Sequence, residues 1–152
     1  MKRTLFVILF FSFSCGLFAQ DKAKDEVKKV LASYKTAMEK LDKQGVRSLF
    51  SDDAVIYENG SPGEPVSHFM SGHLYPEFDM FSSFTYNDYK ADIIVSGNYA
   101  YSTEAYTYTI VLKKDGKPIV PSSMGVVTAV LKKTSSGWKF ISYHSSYRKK
   151  KS

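Results

Sequence analysis

The residues with chemistry to offer are few: three histidines, a handful of acids and a large stock of tyrosine. His73 and Glu77 stand four apart, a spacing that puts two ligands on one helical face. His68 lies nearby, and His144 from the far end of the chain could complete a metal site. Pro76 interrupts the helical register between His73 and Glu77, and no motif of recognised ligand spacing is present, so neither metal nor cofactor is expected. Glu58 ends a short apolar run beside Tyr57 and a loop at 60–65. It is either an acid at a pocket mouth or an exposed strand-end charge. Glu104 is the odd charge in a tyrosine-rich segment, on the outer face or in a pocket. Tyr101, Tyr106 and Tyr108 suit a pocket wall or a dimer surface. Tyr57, His68, His73, Tyr106, Met124 and His144 are the candidate ligand-binding residues, with His144 serving either a ligand or a neighbouring tyrosine. No Ser-His-Asp arrangement, phosphate loop or dinucleotide fingerprint is visible.

Of 152 residues, the first stretch reads as a removable export signal over 1–19. Lys2 and Arg3 precede an apolar run from Leu5 to Phe13 that is too short to span a bilayer, and Ala19 is a small residue before a cut. A retained anchor is the alternative. Lipid attachment at Cys15 is another, with Ser14 fitting the small position before the cysteine and Ser12 failing the leucine position. Cleavage would remove the only cysteine, leaving no disulfide and no thiol nucleophile. Localisation outside the cytoplasm, periplasmic or secreted, follows from that reading. The mature chain would then have no hold on a membrane.

The formal charge of +6 falls to +4 once Lys2 and Arg3 leave, and the basic tail from Arg148 to Lys151 accounts for the remainder. A nearly neutral body with a solvated basic end at 149–152 offers no basic face with interleaved aromatics, so nucleic acid is not an expected partner.

The candidate residues need elements to position them. Val27, Val30, Leu31, Tyr34, Met38 and Leu41 form one stripe of a helix over 25–41, ended by Lys43-Gln44-Gly45. Val46 to Phe50 reads as a second short helix closed by Ser51-Asp52-Asp53, and Ala54 to Glu58 as a strand. Asn59 to Pro65 is a loop. Val66 to Leu74 reads as a third helix, with Pro76 ending it or opening a further turn. Strands follow at 84–95, 99–112, 121–133 and 138–147, with an Asp-Gly turn at Lys114 to Lys117. Helices first and strands after imply α+β with an antiparallel sheet, in one domain over 21–148.

This order is similar to that of the nuclear transport factor 2-like (NTF2-like) superfamily, which includes ketosteroid isomerase and the SnoaL-type polyketide cyclases. Two stretches carry the resemblance: Leu49-Phe50-Ser51-Asp52-Asp53-Ala54-Val55, and Gly137 through Ser146 with Trp138, Phe140 and Tyr143. It spans essentially all of residues 21–148. The resemblance implies a cone of about three N-terminal helices on a curved antiparallel sheet (NTF2-like, cystatin-like), enclosing a small pocket and pairing as a homodimer through the sheet. Aligned without a gap, Tyr34 falls where ketosteroid isomerase keeps its oxyanion tyrosine and Glu58 where it keeps its aspartate base. The family's second acid falls near Thr128 or Ala129, neither of which is acidic. Two functions are expected from this: an exported domain binding a small molecule in an aromatic-lined pocket without assigned catalysis, or an isomerase- or cyclase-like enzyme with Glu58 as base and Tyr34 as donor.

Overall fold

The computed structural model describes the backbone of residues 8–113 and 118–149, and the side chains of 20–113 and 123–148. The Asp-Gly turn at 114–117, the basic n-region and most of the tail lie outside the described residues.

Helix α1 runs from Ile8 to Glu39 and buries the expected stripe of Val27, Leu31, Tyr34 and Met38. It begins well before residue 25, because Ala23 already packs on the core and the Gln20 amide donates to the Val95 carbonyl at 3.2 Å. Its end comes earlier than Lys43-Gln44-Gly45. Leu41 adopts a left-handed conformation (φ 53°), and the Leu41 and Asp42 amides close back onto the carbonyls of Met38 and Ala37. That pair of bonds is a Schellman ending on a residue other than glycine. Asp42 then caps α2 (Lys43–Ser48), accepting from the Gly45 amide at 2.9 Å. A Cβ on Gly45 would lie 2.3 Å from the Asp42 carboxylate, so the capping side chain takes the space a larger residue would need.

Strand β1 covers Phe50–Glu58, and the stretch Ser51-Asp52-Asp53 that suggested a helix end lies inside it. Phe50 pairs with Phe140 and is buried, drawing the strand start four residues forward, with a register irregularity before Val55. A two-residue strand β2 (Glu64–Pro65) returns against β1. The helical run that follows is longer than expected: α3 (Val66–Phe69), one π turn (Met70–Leu74) and α4 (Tyr75–Met80). Pro76 sits in the first turn of α4, where its missing N–H costs little. The widened turn just before it relieves the clash its ring would make with the preceding turn's carbonyl.

Four long strands complete the sheet: β3 (Phe81–Ser96), β4 (Tyr99–Leu112), β5 (Pro118–Thr134) and β6 (Gly137–Lys149). Among the described residues the sheet has the order β2-β1-β6-β5-β4-β3. The α+β class stands, with one refinement: β1 runs parallel to β6, so the sheet is mixed. A parallel pair needs a long connection, and here everything from α3 to β5 supplies it. Irregularities in register at 87–90 of β3, between Tyr108 and Ile110, and between Val130 and Leu131 bend the sheet around the helices. At the first of these, Asp88 has φ 52° and the freed Tyr86 amide donates to Glu39 of α1 at 3.1 Å.

Alternation decides the faces. Ala100, Ser102 and Glu104 of β4 point inward and are buried, while Tyr99 and Tyr101 point outward. The outer face carries Ile94, Tyr99, Tyr101, Met124 and Val126, all well exposed. On the inner face, Tyr34, Phe50, Phe140 and Tyr143 form one aromatic cluster with centroids 5.0–6.0 Å apart. Phe140 is fully buried at its centre. Phe140→Ala is expected to lower unfolding stability by about 3–5 kcal/mol, read as a fall in the urea midpoint at unchanged slope.

Candidate functional site

A partly open cavity of about 220 Å³ lies between α1, the helical run of α3 to α4, and the inner face of the sheet. An apolar cavity of about 150 Å³ suffices for a benzene-sized ring, so this one is large enough for a ring with a short chain. Tyr34 and Met38 reach it from α1 and Ile56 and Glu58 from β1. Met70, Leu74 and Glu77 come from the helical run, and Tyr86, Tyr106, Tyr108 and Tyr143 from the sheet. The inward-facing positions of each strand deliver these side chains, and the π turn places both Met70 and Leu74 on the buried side.

The cavity has two chemically different ends. The inner end is a set of tyrosines. Tyr34 and Tyr143 sit with centroids 5.4 Å apart, and Tyr86 and Tyr106 edge to face at 4.7 Å. Burial pushes all four phenols well above their ordinary range, so each is a neutral donor. The Tyr143 hydroxyl beside Tyr34 offsets a part of that. Beside them Glu104 is 3% exposed, accepting from the Tyr89 hydroxyl at 2.6 Å and from Ser102 Oγ at 3.3 Å. Burial raises its carboxyl and outweighs both hydrogen bonds.

The outer end carries Glu58 and Glu77. Glu58 is half-buried, with Ser145 Oγ at 3.5 Å. Desolvation raises it, and the neighbouring His73 and Ser145 pull it back down. Glu77 stands on the exposed rim. Desolvation against the wall and then the charge of Glu58 raise it, with His73 opposing.

The sequence candidates divide cleanly. Tyr34, Glu58 and Tyr106 meet in the cavity. Tyr57 faces away from it. Its ring covers Gly63, where a Cβ would lie 2.5 Å from the ring, and meets His144 edge to face at 6.4 Å on the outer side of the sheet. Met124 lies on that outer face too, opposite Thr107 and beside Arg148. His68 and His73 are exposed, and both turn to Glu64, at 2.6 and 3.4 Å. That carboxylate explains the placement of the two rings, and no group of three or more metal-ligating side chains occurs among the described residues. Thr128 and Ala129, where the resemblance puts a second acid, face outward and inward respectively, and the inward carboxyl instead comes from the next strand as Glu104. Glu77, Tyr86 and Tyr143 line the cavity without having been singled out for it. Tyr143 could have been found from the alternation of β6, whereas Glu77 depends on a helical run continuing through a proline.

One further residue shapes the cavity without lining it. Gly125 of β5 stands directly across from Tyr106, and a Cβ there would lie 2.4 Å from the Tyr106 ring. The glycine lets that ring lie flat on the neighbouring strand.

The buried carboxyl carries a pH signature. Because Glu104 is held above the 4.5 of an unfolded chain, the folded state keeps its proton as the pH rises past the point where the unfolded state has lost it. Stability therefore falls as pH climbs from 4.5 toward the folded value. Glu104→Gln is expected to gain on the parent protein as the pH rises above 4.5, measured as the difference in urea midpoints. A difference that stays flat over that rise would show that Glu104 titrates normally.

A SnoaL-like domain matches residues 27–148. No curated protein matches the chain. Among solved structures, an NTF2-like superfamily protein from Salmonella enterica serovar Typhimurium LT2 is similar over 87% of this chain and 94% of its own, at 21% identity and a TM-score of 0.71. A ketosteroid isomerase-like protein from Erwinia carotovora atroseptica is similar over 81% and 94%, at 20% identity and a TM-score of 0.63. An NTF2-like protein with a cystatin-like fold from Novosphingobium aromaticivorans is similar over 93% and 90%, at 12% identity and a TM-score of 0.65. At such identities the likeness is one of fold. Helices laid on a curved mixed sheet, together with a domain match over residues 27–148, make this chain a member of the SnoaL-like domain family, with a fold like that of the NTF2-like proteins.

Proposed function

We propose that the chain is an exported domain that binds a small molecule in the tyrosine-walled cavity, without catalysis of its own. The observation that carries this reading is the cavity itself: about 220 Å³, walled largely by aromatic rings, with Glu58 and Glu77 at its outer end. Native mass spectrometry of protein from its own source is expected to show a co-purified species of one-ring size that is lost on denaturation. Bare chain alone, with no apolar probe raising the melting temperature, would overturn the reading.

A second reading is favoured by one observation: Tyr34 and Glu58 line the same cavity, so a carboxylate base and a neutral phenol donor could act on one substrate. The chemistry would be proton transfer beside a carbonyl, as in an isomerase or cyclase. The inward residue Ala129 weighs against it, since a second acid donor is absent at the position the family would use. If turnover of this kind is found, Glu58→Gln is expected to lower it by about 10²–10⁴-fold. Turnover that survives that substitution excludes Glu58 as base.

Export and pairing belong to the same proposal. The leader reading rests on residues 1–19, and among the described residues no helix is long and apolar enough to cross a membrane. The exposed outer face, with Ile94 at 68% and Tyr101 at 49% exposure, is a suitable surface for a second copy. Natural protein is expected to begin near Gln20 and to sediment as a dimer, with Ile94→Glu combined with Tyr101→Glu giving monomer.

A further inference from the structure

The charged groups that line the cavity are both acidic. Glu58 and Glu77 face it from β1 and α4, and neither makes an ion pair with Lys or Arg among the described residues. Among the described residues no lysine or arginine lines the cavity. Elsewhere some acids do pair: Glu26 with Lys133, Glu39 with Lys35, and Asp79 with Lys43, each within 3 Å.

A second, independent feature lies deeper. Tyr86 is more than nine-tenths buried and lines the cavity, yet its hydroxyl has no hydrogen-bond partner among the described residues. A buried phenol ordinarily finds a partner, so this oxygen awaits one in the cavity. Around it the wall is a cluster of rings: Phe84 and Tyr108 stack at 5.4 Å and 10°, and Tyr106 meets Tyr86 edge to face. Aromatic walls beside two carboxylates suit an organic cation.

We infer that the ligand is a small organic cation: a protonated or quaternary amine with an apolar body of about one ring, its charge held between Glu58 and Glu77 and its body among the tyrosines. This rests on the cavity being a ligand site. An anion would meet two carboxylates with no lysine or arginine to offset them. A neutral ligand would leave those carboxylates half-desolvated and unpaired. A bound ammonium supplies the missing charge, and the Tyr86 hydroxyl can accept from or donate to a polar atom on the ligand. The titratable groups facing the carboxylate pair are His73 from the π turn, Glu64 from β2, and Tyr34, Tyr106 and Tyr108. Of these only His73 can be cationic, and it is shared with Glu64 on the exposed side.

The test uses three probes of one shape and different charge on the full mature chain: 2-phenylethylamine, 2-phenylethanol and 3-phenylpropanoate. Calorimetric titration at about pH 7.5 is expected to give the amine at least about tenfold tighter binding than the alcohol, and no measurable binding of the carboxylate. As the pH is lowered the amine-to-alcohol ratio is expected to fall, since the carboxylates must be charged to hold the amine. This readout needs no variant. In Glu58→Gln with Glu77→Gln the amine-to-alcohol ratio is expected to fall to about one, and circular dichroism checks that the variant is folded. Equal affinity for amine and alcohol, tighter binding of the carboxylate, or a ratio that survives the double substitution overturns the cation inference while leaving the ligand site standing. If none of the three binds, the ligand-site reading fails and the inference falls with it.

Discussion

Four rings meet where the first helix, the first strand and the last strand converge: Tyr34, Phe50, Phe140 and Tyr143, in edge-to-face and tilted contacts. This cluster is the constraint on which the remainder depends. It anchors the start of the parallel pairing of β1 with β6, where Phe50 stands opposite Phe140 before the register shifts ahead of Val55. It holds α1 across the sheet at the height where Tyr34 faces inward. Three of its rings, Tyr34, Phe50 and Tyr143, also line the cavity, so the core and the cavity wall share side chains. Aromatic rings suit that double duty because they bring large buried area and a polar tip together.

Much of the architecture was legible in the sequence, for a physical reason. The stripe from Val27 to Met38 has helical period, and the alternation along Tyr99 to Glu104 has strand period, and each was fixed by burial. Errors fell where short-range chemistry was overridden by partners distant in sequence. Ser51-Asp52-Asp53 looks like a turn, yet Phe50 and Ala54 on either side are buried on the sheet and pull it straight. Pro76 looks like a stop, but a widened turn ahead of it lets the helix continue. The parallel strand pair is invisible locally, since nothing in β1 or β6 alone states which direction its neighbour takes.

The site was legible in part. Tyr34 and Glu58 were placed by resemblance and do meet in the cavity, and Tyr106 by its aromatic strand. The histidines and Tyr57 failed as cavity residues because each had another partner: Glu64 for His68 and His73, and Gly63 with His144 for Tyr57. Residue type alone offered them as candidates, and only the geometry of their neighbours withdrew them. Glu104 shows the reverse. Its direction could not be read from periodicity, and once inward it adds a carboxyl one strand away from where related chemistry would put it.

Gly125 deserves a last consequence. It contacts no cavity space, but the ring of Tyr106 rests in the room its missing side chain leaves. Any larger residue there would tilt that ring inward and shrink the chamber from behind. The room in the cavity therefore depends on a position in the backing strand that does not itself line it.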